Sequence, residues 1–183
     1  MNLILASASP RRQELLKLFG IPFTVRVADI DETMDPAAAA YDEVARLSRE
    51  KEDIVIAADT IVVCEGKVLG KPHSEGEAFS MLSLLSGRDH QVMTGCTVLM
   101  GERAETFTEV TDLHFRDLSR KEIETYVASG EPMDKAGSYG IQGGAALFCE
   151  RMVGDYYNVM GLPVCRLGQV LKTAAPEVME DSL

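Results

Sequence analysis

The segment Ser7-Ala8-Ser9-Pro10-Arg11-Arg12 gathers two hydroxyls and two guanidinium groups at one point of the chain. It follows the short apolar run Leu3-Ile4-Leu5, whose length suits a buried strand. Ser9 is placed to cap a helix, and Pro10 suits the first helical position, where no amide hydrogen is needed. Arginines in a first helical turn oppose the positive end of the helix dipole, where acids are preferred. Free backbone amides, a serine hydroxyl and two guanidiniums at one helix start make an oxyanion site. The plainer reading is a solvated pair of arginines, with Arg11 tethered to Glu14 at i,i+3.

A second chemical position is Asp59, in the apolar run Ile54-Val55-Ile56-Ala57-Ala58-Asp59-Thr60-Ile61-Val62-Val63-Cys64. A carboxylate in such surroundings must be paired, bound to metal, or at the open end of a sheet. The acidic turn Asp29-Ile30-Asp31-Glu32 offers a further carboxylate, and Lys71 lies between Gly70 and Pro72. Together these residues suit a polyphosphate. Glu32 and Asp59 are hard oxygen donors for Mg²⁺ held jointly with phosphates, and arginine and lysine would spread the charge of an in-line displacement. Lys51, at the basic end Arg46-Leu47-Ser48-Arg49-Glu50-Lys51, is also accounted for as a charge favoured at a helix C-terminus. The histidines His73, His90 and His114 lack metal-ligand spacing, and there is no Cys/His cluster to hold zinc.

Several elements must carry these groups. A first helix has apolar positions at Leu15, Leu16, Leu18 and Phe19 and closes at Gly20. Phe23 to Val27 alternates like a strand with one buried face, and Asp35-Pro36 opens a second helix. The Asp59 run is expected to be a central strand delivering that acid, followed by a hairpin at Glu65-Gly66-Lys67. Capping boxes at Ser74-Glu77 and Ser119-Glu122 start helices that pack Ala78, Met81, Leu82 and Leu85, and Ile123, Tyr126 and Val127. Between those helices, Gln91 to Met100 and Glu105 to Phe115 form strands about Gly101-Glu102. Residues 130–144 hold five glycines with Glu131, Asp134, Lys135, Tyr139 and Gln142, the composition of a functional loop. Ala145 to Cys149 reads as a strand and Leu162 to Leu171 as a final helix, with a polar tail from Lys172.

The 183 residues are long enough for one domain or two closely joined lobes, and 46% hydrophobic content permits a proper core. A net charge of −11 disfavours nucleic acid as a partner, and no run approaches a membrane span. Cys64, Cys96, Cys149 and Cys165 lie far apart, as expected of reduced thiols in the cytoplasm.

From Leu3 to about Leu171 the chain resembles the Maf family of nucleoside triphosphate pyrophosphatases. The resemblance rests on Ser7-Ala8-Ser9-Pro10-Arg11-Arg12, Ala58-Asp59-Thr60, Gly70-Lys71-Pro72, and the run from Asp134-Lys135-Ala136-Gly137 to Ile141-Gln142-Gly143. Tyr156-Tyr157-Asn158-Val159-Met160-Gly161-Leu162-Pro163 adds a fifth motif. It implies a mixed α/β fold with an elongated central sheet flanked by helices, and an active-site cleft between two lobes. One domain would cover 1–172, with a tail at 173–183. The implied reaction is metal-dependent hydrolysis between the α- and β-phosphates, with Mg²⁺ or Mn²⁺, in a homodimer. Asp59 would accept a proton, Glu32 would help Asp59 hold metal, and Ser9, Arg11, Arg12, Lys51 and Lys71 would hold the triphosphate.

Arg12, Thr60 and Gln142 match the family's dTTP- and UTP-specific subgroup; the subgroup acting on methylated guanosine triphosphate typically differs at the last two positions. A glutamine amide can donate to a uracil or thymine carbonyl and accept from the ring N–H, but flipped it could pair with cytosine. One departure is the short connection Glu52-Asp53 between Lys51 and the Asp59 strand, longer in many relatives. Two rivals stand beside pyrimidine hydrolysis. One is a nucleotide-binding regulator of septum formation without essential catalysis; the other is the same reaction on a modified or purine triphosphate, in a house-cleaning role.

Overall fold

The computed structural model describes residues 2–27 and 53–179. The acidic turn with Glu32, the helix opened by Asp35-Pro36, and Lys51 lie outside the described residues. The described strands are β1 (Leu3–Leu5), β2 (Phe23–Val25), β3 (Ile54–Cys64), β4 (Lys67–Leu69), β5 (Asp89–Met100), β6 (Arg103–Phe115) and β7 (Cys149–Val153). The helices are α1 (Pro10–Lys17), α2 (Glu75–Leu85), α3 (Arg120–Ala128), α4 (Tyr156–Met160), α5 (Val164–Ala174) and α6 (Pro176–Met179). Short 3₁₀ turns occupy Glu131–Asp134, Ala136–Ser138 and Gly144–Leu147.

The strands form one mixed seven-stranded sheet in the order β2-β1-β3-β5-β6-β7, with β4 also paired to β3. β1 runs parallel to both β2 and β3, whereas β4 is antiparallel to β3 and β7 to β6. This is the mixed α/β class the sequence predicts. The described residues divide into two compact units. The first draws on Met1–Asp59, Gly95–Thr108 and Gly161–Leu183, and the second on Thr60–Thr94 and Glu109–Met160.

In the first unit the buried side chains of Ile4, Val55 and Leu99 pack together, because β1 and the first half of β3 are apolar throughout. The second unit has its own core, in which the apolar faces of α2 and α3 meet β5, β6 and the aromatic residues Phe115, Tyr139 and Phe148. Phe115 stands edge-on to Tyr139 at 4.8 Å and to His90 at 4.7 Å, a geometry aromatic quadrupoles favour.

Several local expectations are corrected. Residues 145–147 belong to a 3₁₀ turn and the strand starts at Cys149; only Ala145 and Phe148 are buried there, and Leu147 is exposed. β2 has no buried face, since Thr24 and Val25 are exposed, and Leu18 of the first helix is exposed too. The final long helix begins at Val164, after Pro163, and runs through Lys172 to Ala174 because Leu167 and Leu171 are buried; α6 follows it. The Ser74 box is only half formed. Ser74 caps the Glu77 amide, but the Glu77 carboxylate takes the His73 amide instead of that of Ser74. The Ser119-Glu122 box is complete.

Candidate active site

In the first unit, β1 ends in a turn whose serines build the start of α1. Ser9 has extended backbone, and its Oγ accepts the Arg12 amide at 3.5 Å, with Pro10 in the first turn. Buried Ser7 does two things with one oxygen. Its Oγ accepts the Ser9 amide at 3.3 Å and Nη1 of Arg12 at 3.2 Å. Nε of Arg12 then donates to the carbonyl of Gly161 at 2.8 Å. The guanidinium is thus held in one orientation by acceptors on two sides. Glu14, the alternative tether for Arg11, forms an ion pair with Lys17 at 2.7 Å.

Burial lowers the pKa of Arg12, while the negative charge of Asp59 acts in the opposite direction. The arginine therefore lies within electrostatic reach of both Asp59 and Arg11, and it remains a cation at any working pH. Cys96 of β5 is buried near the same arginine, and burial pushes its thiol up to about 12, so it stays protonated and unreactive.

Asp59 is carried by the central strand, as the sequence suggested. It sits within the continuous 11-residue β3, with its side chain exposed. β3 pairs with β1 through Ile56 and with β4 from Val62 onward. The acid lies between those two pairings.

The second unit carries Thr60, Lys71 and Gln142. Thr60 and the fully buried Thr94 share a hydroxyl hydrogen bond of 2.9 Å. The Thr94 hydroxyl also donates to the Asn158 carbonyl at 3.1 Å. Asn158, likewise buried, donates to the Val92 carbonyl and to Thr111, both at 3.0 Å. Lys71 is exposed, and the carbonyl of the preceding Gly70 accepts the Gly137 amide at 3.0 Å. Gly137 has φ +68°, and a side chain there would meet Val62 at 2.8 Å, so this contact requires glycine. Gln142 is exposed on the glycine-rich loop.

Ser9, Arg11, Arg12 and Asp59 are thereby gathered in the first unit, and Thr60, Lys71 and Gln142 belong to the second. Glu32 and Lys51 lie outside the described residues. Sequence reasoning missed Ser7 and Gly161 as anchors of Arg12, although both fall inside the quoted motifs. It also missed Thr94, for which no local signal exists, because a threonine in a strand is ordinary.

The family model described as "Maf-like protein" matches residues 2–174. A dTTP/UTP pyrophosphatase of Bacillus cereus (strain B4264) is 48% identical over 180 residues, covering 93% of this chain and 94% of that protein. The dTTP/UTP pyrophosphatase of Bacillus thuringiensis subsp. konkukian (strain 97-27) is 47% identical over the same shares of each chain. That of Bacillus cereus (strain ATCC 10987 / NRS 248) is 46% identical, covering 93% of this chain and 89% of its own. With a match across nearly its whole length and relatives close to half identical, this chain belongs to the Maf family.

Proposed function

We propose that the chain hydrolyses dTTP and UTP between the α- and β-phosphates, releasing the nucleoside monophosphate and pyrophosphate. The observation that carries this reading is Arg12. It is a guanidinium anchored by Ser7 and Gly161 at a serine-capped helix start and electrostatically coupled to the exposed carboxylate of Asp59. Its setting is a chain 46–48% identical to dTTP/UTP pyrophosphatases.

In this reading Ser9, Arg11, Arg12, Lys51 and Lys71 bind the triphosphate and spread the charge that develops on it. Asp59 accepts the proton of the attacking water. Thr60 and Gln142 read the pyrimidine, whose imide presents both a carbonyl and an N–H to an amide side chain.

The family implies a divalent metal. Among the described residues no three carboxylate, histidine or thiol groups cluster to hold one. Mg²⁺, however, is commonly bound by one or two carboxylates together with substrate phosphates, and an exposed Asp59 fits that mode. Asp59 and Glu32 would hold Mg²⁺ or Mn²⁺, which would neutralise phosphate charge. The reading further takes the enzyme to be a cytoplasmic homodimer. Four free cysteines support that compartment, and no described helix is long and apolar enough to cross a membrane.

The test is product analysis with UTP, dTTP, CTP, GTP, ATP and 7-methyl-GTP, with and without Mg²⁺ or Mn²⁺. Metal-dependent pyrophosphate release, fastest with UTP and dTTP, is expected. Release of orthophosphate, or no turnover of any substrate, would overturn the proposal.

A further inference from the structure

The turn that carries Gln142 is held at both ends by one pair of side chains. The Gly143 amide bonds to the Gly140 carbonyl at 3.0 Å, closing a turn across Ile141 and Gln142. At one end of it, the Tyr126 hydroxyl accepts the Gly140 amide at 3.0 Å. The same hydroxyl donates to Oε1 of Glu131 at 2.9 Å, and Oε2 of Glu131 accepts the Gly144 amide at 3.1 Å. Tyr126 is itself fixed, since it is buried on α3 with its ring edge-on to Phe148 at 5.1 Å. Burial raises the pKa of Tyr126, so the hydroxyl keeps the proton it gives to Glu131.

The glycines of the turn fit this pair. A side chain at Gly143 would overlap the Glu131 carboxylate, and one at Gly144 would press on the Tyr126 ring at 3.2 Å. Lys135 supports Glu131 from behind. Its Nζ donates to the Glu131 carbonyl and to Asp134, each at 2.6 Å. Its stem fills the space beside Gly140, where a Cβ would meet Cε at 2.7 Å. Exposed backbone amides in a glycine-rich turn would otherwise be satisfied by water and the turn would sample many conformations.

We propose that Tyr126 and Glu131 are positioning residues for substrate specificity: together they hold the 140–144 turn in the one conformation that presents the Gln142 amide to the pyrimidine base. The inference rests on the base-reading role assigned above to Gln142. Neither side chain needs to touch substrate, so both act through the turn.

The test compares kcat and KM for UTP and CTP in Tyr126→Phe, Glu131→Ala, Glu131→Gln and Gln142→Ala. Tyr126→Phe keeps the core ring and removes only the hydroxyl. It is expected to raise the KM for UTP about tenfold while kcat stays within about twofold, and to lower the UTP-over-CTP ratio of kcat/KM. Glu131→Ala should do the same, and Glu131→Gln, which keeps one acceptor, should recover part of the loss. In the Gln142→Ala background, Tyr126→Phe should leave the ratio where Gln142→Ala alone puts it. A Gln142→Ala enzyme with an unchanged ratio would sink the base-reading role, and this inference with it. If Gln142→Ala collapses the ratio while Tyr126→Phe and Glu131→Gln leave it intact, the base-reading role stands and the positioning inference fails. Should Tyr126→Phe not fold, the Glu131 pair decides the question alone.

Discussion

Nε of Arg12 lies 2.8 Å from the carbonyl oxygen of Gly161, 149 residues further along the chain. A backbone acceptor just ahead of α5 thereby dictates the orientation of a guanidinium in the first turn of α1. Ser7 fixes a second nitrogen of the same fork. An arginine held this way has already lost its rotamer freedom, so little further ordering is needed when an anion binds.

Arg12→Lys should therefore cost more than a change of equal charge suggests. An ammonium cannot satisfy Gly161 and Ser7 while facing a phosphate bidentately. We expect kcat/KM for UTP to fall about 10- to 100-fold, the equivalent of one or two charge-assisted hydrogen bonds. Steady-state kinetics beside a melting curve checks this, and an equal loss of melting temperature would assign the effect to folding instead.

Asp59→Asn should separate chemistry from binding. The side chain is exposed on β3, so the fold should be unaffected. Loss of a proton acceptor predicts a fall in kcat of about 100-fold or more. Calorimetric titration with a UTP analogue carrying a non-hydrolysable α,β-bridge should show binding retained. A turnover rate near wild type would remove Asp59 from the mechanism.

Thr94→Val tests the buried hydroxyl behind Thr60. The substitution is nearly isosteric but removes one hydrogen-bond partner of Thr60 and the donor to the Asn158 carbonyl. An expected loss of about 1–3 kcal/mol, read from urea unfolding, corresponds to the hydrogen bonds lost from the buried Thr94 hydroxyl. Thr94→Ser should restore most of it.

Acid sensitivity should come in two stages. Burial lowers the pKa of His90 from 6.5 to about 4, and its Nε2 shares a 2.9 Å hydrogen bond with the Tyr139 hydroxyl. The unfolded chain takes up a proton below pH 6.5 that the folded chain resists until about 4, so stability falls as pH drops through that window. The loss between pH 7.5 and 5 should be on the order of 2 kcal/mol. His90→Gln should flatten this part of the profile in urea melts. Arg116 and the Ser119 cap hold Glu122 down at about 2, so its contribution is lost only as pH falls from 4.5 toward 2, and His90→Gln should leave that stage in place.

Much was legible from local rules because those rules act over a few residues. Ser9 capping α1, the Ser119-Glu122 box and the buried faces Ala78-Met81-Leu82-Leu85 and Ile123-Tyr126-Val127 all follow from i,i+3 and i,i+4 neighbours. The errors lay where burial overrode pattern. Leu18 looked like part of an apolar stripe and is exposed, and residues 145–147 looked like a strand and form a 3₁₀ turn.

By itself the sequence determined the serine-capped helix start and the motifs that mark the family, and through that resemblance the mixed α/β class, since capping and motif spacing are local properties of the chain. Tertiary structure alone decided which partners those residues acquire. Arg12 meets a carbonyl 149 positions away, Thr60 meets Thr94 across 34, and Tyr126 reaches the Gly140 amide 14 residues on. Such pairings depend on strand order and helix packing, which place donors and acceptors from distant segments at hydrogen-bonding distance. No spacing in the linear chain encodes them.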